Sequence, residues 1–344
     1  MRNEGLNQAI KEIRLKGLEK YRGKDRIVSW REKDFLDGET VDAGVMILPT
    51  CGCRWGLVSG CSMCGYVYDS QHKGADENAI MDQFGKVLMN LGGVKYLKIF
   101  NSGSFFDTNE LSENSVRMIF EKINETGISR VQVESRPEFL EENVLKKARE
   151  MLDPELEVGI GLETTNDGVR INCVNKGFLL EDFEKALGNC KKNDIQVKAY
   201  LLIKPPFLSE KEAIKDAINS GIEAEKLGVD RISYNPINIQ KGTLVELLWR
   251  RGEYRAPWLW SVAEILKEVS RQVKVPVLSH PTAAGRKRGA HNCGKCDAKV
   301  YGSIVGFSIT QDSGYLDGLE CECQAAWRDW MELENYVANP FSLS

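Results

Sequence analysis

The 344-residue chain has no run of eighteen consecutive apolar residues, which argues against a membrane-spanning helix. Its opening stretch, MRNEGLNQAIKEIRLKGLEKYRGK, lacks the apolar core of a secretion signal, so a cytoplasmic location is expected. A strong charge of either sign is lacking as well. Lys and Arg number 46 against 50 Asp and Glu, and at a net charge of -4 bulk attraction draws the protein to neither nucleic acid nor membrane. An anionic partner must be met by a local patch. Low-complexity tracts, flexible linkers and repeats larger than a βα unit are missing too, which leaves a globular protein long enough for a sizeable core.

Cysteine is in excess. Ten are many where thiols stay reduced, so tight spacings point to metal or cluster ligation and not to disulfides. Cys51, Cys53, Cys61 and Cys64 crowd into one segment and Cys293, Cys296, Cys321 and Cys323 into another. Cys173 and Cys190 stand alone and read as small core residues.

An apolar run at 45–48 reads as a strand just before the first group, and segments at 96–100, 130–134, 156–162, 197–203 and 231–234 read as strands after it. Helical stretches at 78–91, 113–126, 138–151, 180–191, 209–227 and 257–272 follow them in turn. Strands joined by crossover helices pair in parallel. Six such units, with polar residues gathered just after the strands, predict an α/β fold: a partial (β/α)6 TIM-like barrel with its site at the strand C-terminal ends. Residues 1–43 are expected as an N-terminal helical cap, 44–245 as the barrel and 246–344 as a cysteine-rich C-terminal metal-binding domain. Gly159-Ile160-Gly161 begins like a dinucleotide fingerprint, but Thr164 stands at the third glycine position and the first glycine lies inside a strand. A doubly wound nucleotide-binding sheet is therefore disfavoured.

Cys53, Cys61 and Cys64 form C-x7-C-x2-C on the loop after the first barrel strand. Three thiolates are one short of the set that closes a [4Fe-4S] cluster, so one iron would stay open for a further ligand. Glycines at 52, 56, 60 and 65 let the loop fold tightly. A zinc knuckle with Cys51 as fourth ligand is the alternative. Cys293-x2-Cys296 and Cys321-x-Cys323 supply four soft ligands for one tetrahedral zinc, with a second iron-sulfur cluster or a His280 or His291 ligand left open. Nearby Trp249-Arg250-Arg251, Arg255, Trp258, Trp260 and Arg286-Lys287-Arg288 interleave cations with aromatics and could position an RNA backbone.

The cluster loop resembles that of the radical S-adenosylmethionine (SAM) superfamily, in its variants with a longer first gap. The resemblance implies a cluster whose free iron chelates SAM, and an electron donor that drives its cleavage to a 5′-deoxyadenosyl radical. It implies Met63 near the adenine and Ser102, Gly103 and Ser104 on the loop that grips the SAM amino group. Glu134, Arg136, Glu163 and Lys204, at the ends of later strands, are the other cofactor-binding candidates.

As a set, GCRWGLVSGCSMCGY, NSGSFFD, VESRPEF, NKGF, YLLIKPPFLSE and HNCGKCD resemble the radical SAM subunits of archaeosine synthases. That family implies a tRNA substrate whose 7-cyano-7-deazaguanine carries lysine, cleavage of the C–N bond at the end of that lysine, and a transglycosylase-like partner subunit. A radical SAM enzyme of another substrate and a non-catalytic zinc-binding RNA adaptor remain as alternatives.

Overall fold

The computed structural model describes residues 3–334. Eight strands lie in sequence order in one sheet: β1 (Val28–Leu36), β2 (Glu39–Ile47), β3 (Tyr96–Phe100), β4 (Arg130–Glu134), β5 (Glu155–Glu163), β6 (Gln196–Ile203), β7 (Arg231–Pro236) and β8 (Val277–Ser279). β1 pairs antiparallel with β2, and every later pair is parallel. The sheet curls so that β7 reaches back to β1: Arg231 donates to Asp34 Oδ1 at 2.8 Å and to the Phe35 carbonyl at 2.5 Å. The expected partial barrel of α/β class is thus present, widened by a strand at each edge.

The helices are α1 (Glu4–Lys20), the short α2 (Arg54–Val58), α3 (Glu77–Asn90), α4 (Glu113–Asn124), α5 (Glu142–Met151), the one-turn α6 (Asp167–Val169), α7 (Leu180–Lys192), α8 (Glu210–Leu227), α9 (Leu244–Arg250), α10 (Leu259–Ser270), α11 (Asp297–Thr310) and α12 (Cys323–Glu334). On α4, Val116, Ile119, Phe120 and Ile123 recur at helical spacing and are all buried. Each such residue contributes roughly 1.5–3 kcal/mol by leaving water. Ser112 starts the helix by accepting from the Ser115 N–H. In β5, Leu156, Val158, Ile160 and Leu162 share one face and are fully covered, and Glu157 on the other face is buried too, as a strand with layers on both faces requires.

Two expectations are corrected. Against the helical cap expected over 1–43, the described residues 3–43 are helical only along α1; from Val28 they form a hairpin, turned at Asp37 and Gly38, both of which take positive φ (50° and 86°). That pairing of left-handed residues matches the twist of a two-residue hairpin. The expected boundary at 245/246 has no counterpart in the sheet, because β8 pairs with β7 in register Ile232 with Val277. Leu259, Ile265 and Phe307 join the same core as the barrel strands. Among the described residues no helix is long and apolar enough to cross a membrane.

Candidate active site and metal centre

The loop from β2 to α3 carries the first thiols. Cys53 caps α2, its Sγ accepting from the Gly56 N–H at 3.4 Å. Gly60 takes φ +106°, and a Cβ there would lie 2.6 Å from Arg14 Nη2. Arg14 reaches in from α1 and donates to the carbonyls of Ser59 (3.2 Å) and Cys64 (2.6 Å). Asn175 donates to Gly60 O at 2.9 Å, Ser62 Oγ to Cys173 O at 2.7 Å and Trp55 Nε1 to Asn175 O at 2.9 Å. The loop is held by its carbonyls and ring edges.

Cys53, Cys61 and Cys64 all line one cavity of about 630 Å³. Burial pushes the Cys61 thiol up to about 12 against the pull of Lys176, and burial raises Cys53 against the pull of Arg136. Thiols so placed ionise readily only against a cation, which is the condition a metal centre supplies. Cys51 is turned elsewhere, donating to Asn109 O at 2.9 Å, and is not part of the cavity wall. Among the described residues, only the C-terminal cysteines bring three or more ligand atoms within 4.8 Å of one another, so the loop trio with Cys51 does not make a single-ion knuckle.

The strand ends supply the opposite wall. Past β3, Ser102 and Gly103 line the cavity, and a Cβ on Gly103 would stand 2.6 Å from the Cys53 Cα, so only glycine lets the two loops touch. Beneath them the buried Glu110 accepts from Thr50 Oγ1 (2.6 Å), Asn101 Nδ2 (2.8 Å) and the Ser104 N–H (2.6 Å). Ser104 is structural, its Oγ accepting from the Arg136 N–H at 3.0 Å, and it stays behind the cavity wall.

At the end of β4, burial pushes the Glu134 carboxyl up to about 7, although the Tyr200 hydroxyl draws it down. Arg136 donates to Lys176 O at 3.0 Å and to Glu138 Oε1 at 2.6 Å, with its guanidinium beside the cavity. Glu163 takes φ +67° at a register shift in β5 and pairs with Lys176 Nζ at 2.6 Å. A Cβ on Gly161 would meet that Nζ at 2.6 Å, and one on Gly159 would meet the Tyr200 ring at 2.6 Å. The two glycines make room for these groups and cradle no phosphate.

Met63 also lines the cavity, half-buried. Lys204 does not: its Nζ pairs with Glu210 (2.7 Å) and Glu334 of α12 (3.1 Å), so the strand-end position expected to face the cofactor instead anchors the last described helix. Sequence reasoning missed Lys176, Glu110, Arg14 and Tyr200; NKGF holds Lys176 but gives no sign of its partner.

The barrel floor is an ion network. Lys98 pairs with Glu32 (2.6 Å) and with Asp34, while Lys198 donates to Tyr96 Oη (3.1 Å) and Gln132 Oε1 (2.5 Å). Burial and the neighbouring Arg231 lower Lys198 to about 8, whereas Lys198 and Arg231 outweigh burial at Glu157 and hold it at about 2.

In the C-terminal segment, Cys293 Sγ lies 3.8 Å from both Cys296 and Cys321, and Cys296 lies 3.6 Å from Cys323. Thiolate bonds of about 2.3 Å around a tetrahedral ion give edges of about 3.8 Å, so these four sulfurs suit one ion. Trp260 Nε1 donates to Cys323 Sγ (3.2 Å) and Asn292 Nδ2 to Cys296 Sγ (3.4 Å), the outer hydrogen bonds that orient such ligands. His280 lines the barrel cavity, and neither it nor His291 belongs to the group.

No family model matches this protein. It is 38% identical over 338 residues to archaeosine synthase subunit beta of Methanosarcina acetivorans, covering 96% of this chain and 97% of the relative. To the protein of the same name from Thermococcus kodakarensis it is 40% identical over 308 residues, covering 87% and 94%. The chain belongs to the archaeosine synthase subunit beta family. A crystal structure of methylornithine synthase matches with TM-score 0.50 at 16% identity, over 80% of this chain and 72% of its own, and shares the fold.

In this member of the archaeosine synthase subunit beta family, part of the C-terminal basic set serves the fold. Arg255 stacks 4.0 Å over Trp258 and donates to Ala256 O and His291 O. Arg288 packs on Trp249 at 4.7 Å and pairs with Glu246 at 2.6 Å. Arg286 and Lys287 remain exposed.

Proposed function

We propose that this protein is the radical SAM subunit of an archaeosine-forming system, acting on tRNA. The observation that carries the reading is that Cys53, Cys61 and Cys64 face the same cavity as Glu134 and Glu163 while Cys51 turns away. The three thiols would hold a [4Fe-4S] cluster, with Ser102 and Gly103 beside the SAM amino group, Met63 near the adenine, and Glu134, Arg136 and Glu163 orienting SAM. When bound and reduced by an electron donor, that pair supplies a 5′-deoxyadenosyl radical able to take hydrogen from a lysine near its terminal nitrogen.

The substrate is 7-cyano-7-deazaguanine in the tRNA D-loop, already joined to lysine by a transglycosylase-like partner subunit. Breaking the lysine C–N bond leaves the amidine of archaeosine, a C–N lyase reaction in the cytoplasm. The protein's own work is to fix distance: the ion network of Lys98, Glu157 and Lys198 closes the floor, and the cysteine loop forms one wall. Cys293, Cys296, Cys321 and Cys323 would hold a structural zinc.

The test incubates anaerobically reconstituted, reduced protein with SAM, the partner subunit and lysine-modified tRNA, and analyses nucleosides by mass spectrometry. Archaeosine with stoichiometric 5′-deoxyadenosine is expected. 5′-Deoxyadenosine without archaeosine would overturn the substrate, and the absence of both products would overturn the radical reading.

A further inference from the structure

The hairpin that sequence reasoning passed over forms one side of the cavity. Lys24, Arg26, Val28, Trp30, Glu32 and Asp34 all line it, the first two in the bend that leads into β1 and the other four along the strand itself. Strand alternation puts Val28, Trp30, Glu32 and Asp34 on one face of β1, and Lys24 and Arg26, in the irregular chain before the strand, line the same cavity. The order along this wall is cation, cation, aliphatic, indole, acid, acid. Its inner end is spoken for, since Glu32 and Asp34 pair with Lys98. Its outer end is open: Lys24, Arg26, Val28 and Trp30 are exposed, with Val28 at 37% and Trp30 at 40%.

In a protein of net charge -4, the exposed Lys24 and Arg26 give the outer end of this wall the local positive charge that an anionic partner needs. The stretch is also held in place before any ligand arrives. Lys24 N donates to Asp69 O at 3.1 Å, Gln83 ties Ile27 N (2.9 Å) and Asp25 O (3.1 Å), and Trp30 Nε1 donates to Glu32 Oε2 at 2.7 Å, which sets the plane of the indole. An exposed indole of fixed orientation, with the cations Arg26 and Lys24 in the chain leading to its strand and a cavity inward, fits an unstacked base on a phosphate backbone.

We propose that RNA docks along this wall, with Lys24 and Arg26 on backbone phosphates and the Trp30 indole stacked on the base delivered into the cavity. The inference rests on the RNA-substrate reading above and adds where the RNA lies. It places the contact on the hairpin wall, beside the cysteine loop, and not on the C-terminal cations Arg286 and Lys287.

Fluorescence anisotropy of labelled tRNA, titrated with the reconstituted full-length protein over a range of salt concentrations, tests it. The variants are K24A/R26A, W30A, W30F and, for comparison, R286A/K287A, each first shown to melt with the parent. Losing two phosphate contacts should make the log affinity against log salt slope shallower by about 1.5. W30A should weaken binding about tenfold and W30F should restore most of it, because stacking needs a ring and not a particular one.

Parent-like affinity and salt slope in both K24A/R26A and W30A would overturn the docking surface while leaving the RNA reading intact. The same holds if R286A/K287A alone flattens the slope. Loss of binding to the partner subunit with unchanged RNA affinity would make the wall a protein interface and overturn the proposal. A parent protein with no affinity for tRNA would overturn both the surface and the RNA reading.

Discussion

Arg14 ties an N-terminal helix to the cysteine loop, and replacing it by alanine tests whether that loop is built from outside the barrel. The residue is 2% exposed and its guanidinium packs 4.9 Å from the Tyr68 ring centroid. Its two good bonds, to Ser59 O and Cys64 O, are charge-assisted and contribute roughly 1.5–3 kcal/mol each. Against this, Nη1 is buried without a hydrogen-bond partner, which lowers the net worth of the native arrangement. A loss of about 3 kcal/mol is a reasonable centre. Unfolding entropy of about 2.1 cal/mol/K per residue gives about 0.7 kcal/mol/K for a protein of this length, so the midpoint of the metal-free form should fall by about 4 °C.

The same substitution releases the carbonyl of Cys64, and with it the backbone that aims one of the three thiols. Iron retained after anaerobic reconstitution and desalting should drop at least twofold, and Arg14→Lys should recover only part of it because one ammonium cannot span both carbonyls. Calorimetry and iron analysis read the two effects separately. An alanine variant with parent-like midpoint and iron content would refute the claim that α1 holds the loop.

Other expectations follow from the same geometry. Cys51→Ala should keep nearly all iron, whereas alanine at Cys53, Cys61 or Cys64 should abolish SAM cleavage, measured as 5′-deoxyadenosine. X-ray absorption at zinc should show four sulfur ligands at about 2.3 Å, and chelation should expose the C-terminal segment to protease before the barrel. Glu134 has its folded-state pKa raised to about 7, so its contribution to stability is full below about 4.5 and is lost as pH rises through 7. Thermal midpoints of the metal-free Glu134→Gln variant should therefore fall less steeply than the parent's between those pH values; parallel curves would refute the burial argument.

The legible parts of the sequence were those where the apolar pattern shows through the other demands on a strand. β3 and β4 combine such demands, yet their apolar residues alternate with Lys98 and Gln132 in short segments before polar loops, and their expected bounds match the observed strands. β1 answers two demands, because its face must wet a cavity mouth at Trp30 and pair buried charge at Asp34. Its sequence, VSWREKDFL, therefore reads as surface, although the Asp37-Gly38 turn was a usable signal. β8 is three residues long, below what periodicity can detect.

The site shows the same division. The cysteines were readable because ligand chemistry restricts residue type and spacing together. Lys204 was misplaced because a strand-end lysine looks the same whether it faces a cofactor or a carboxylate, and one of its partners, Glu334, lies 130 positions away. Arg14 was invisible for a stronger reason: its partners are backbone carbonyls, which every residue has, so no pairing of residue types marks it. The cavity is thus encoded twice, by thiols and acids that the sequence displays and by backbone-directed contacts that only the fold reveals. The second kind sets the aim of the first, and for that reason the Arg14 substitution, which removes no ligand, is expected to cost iron.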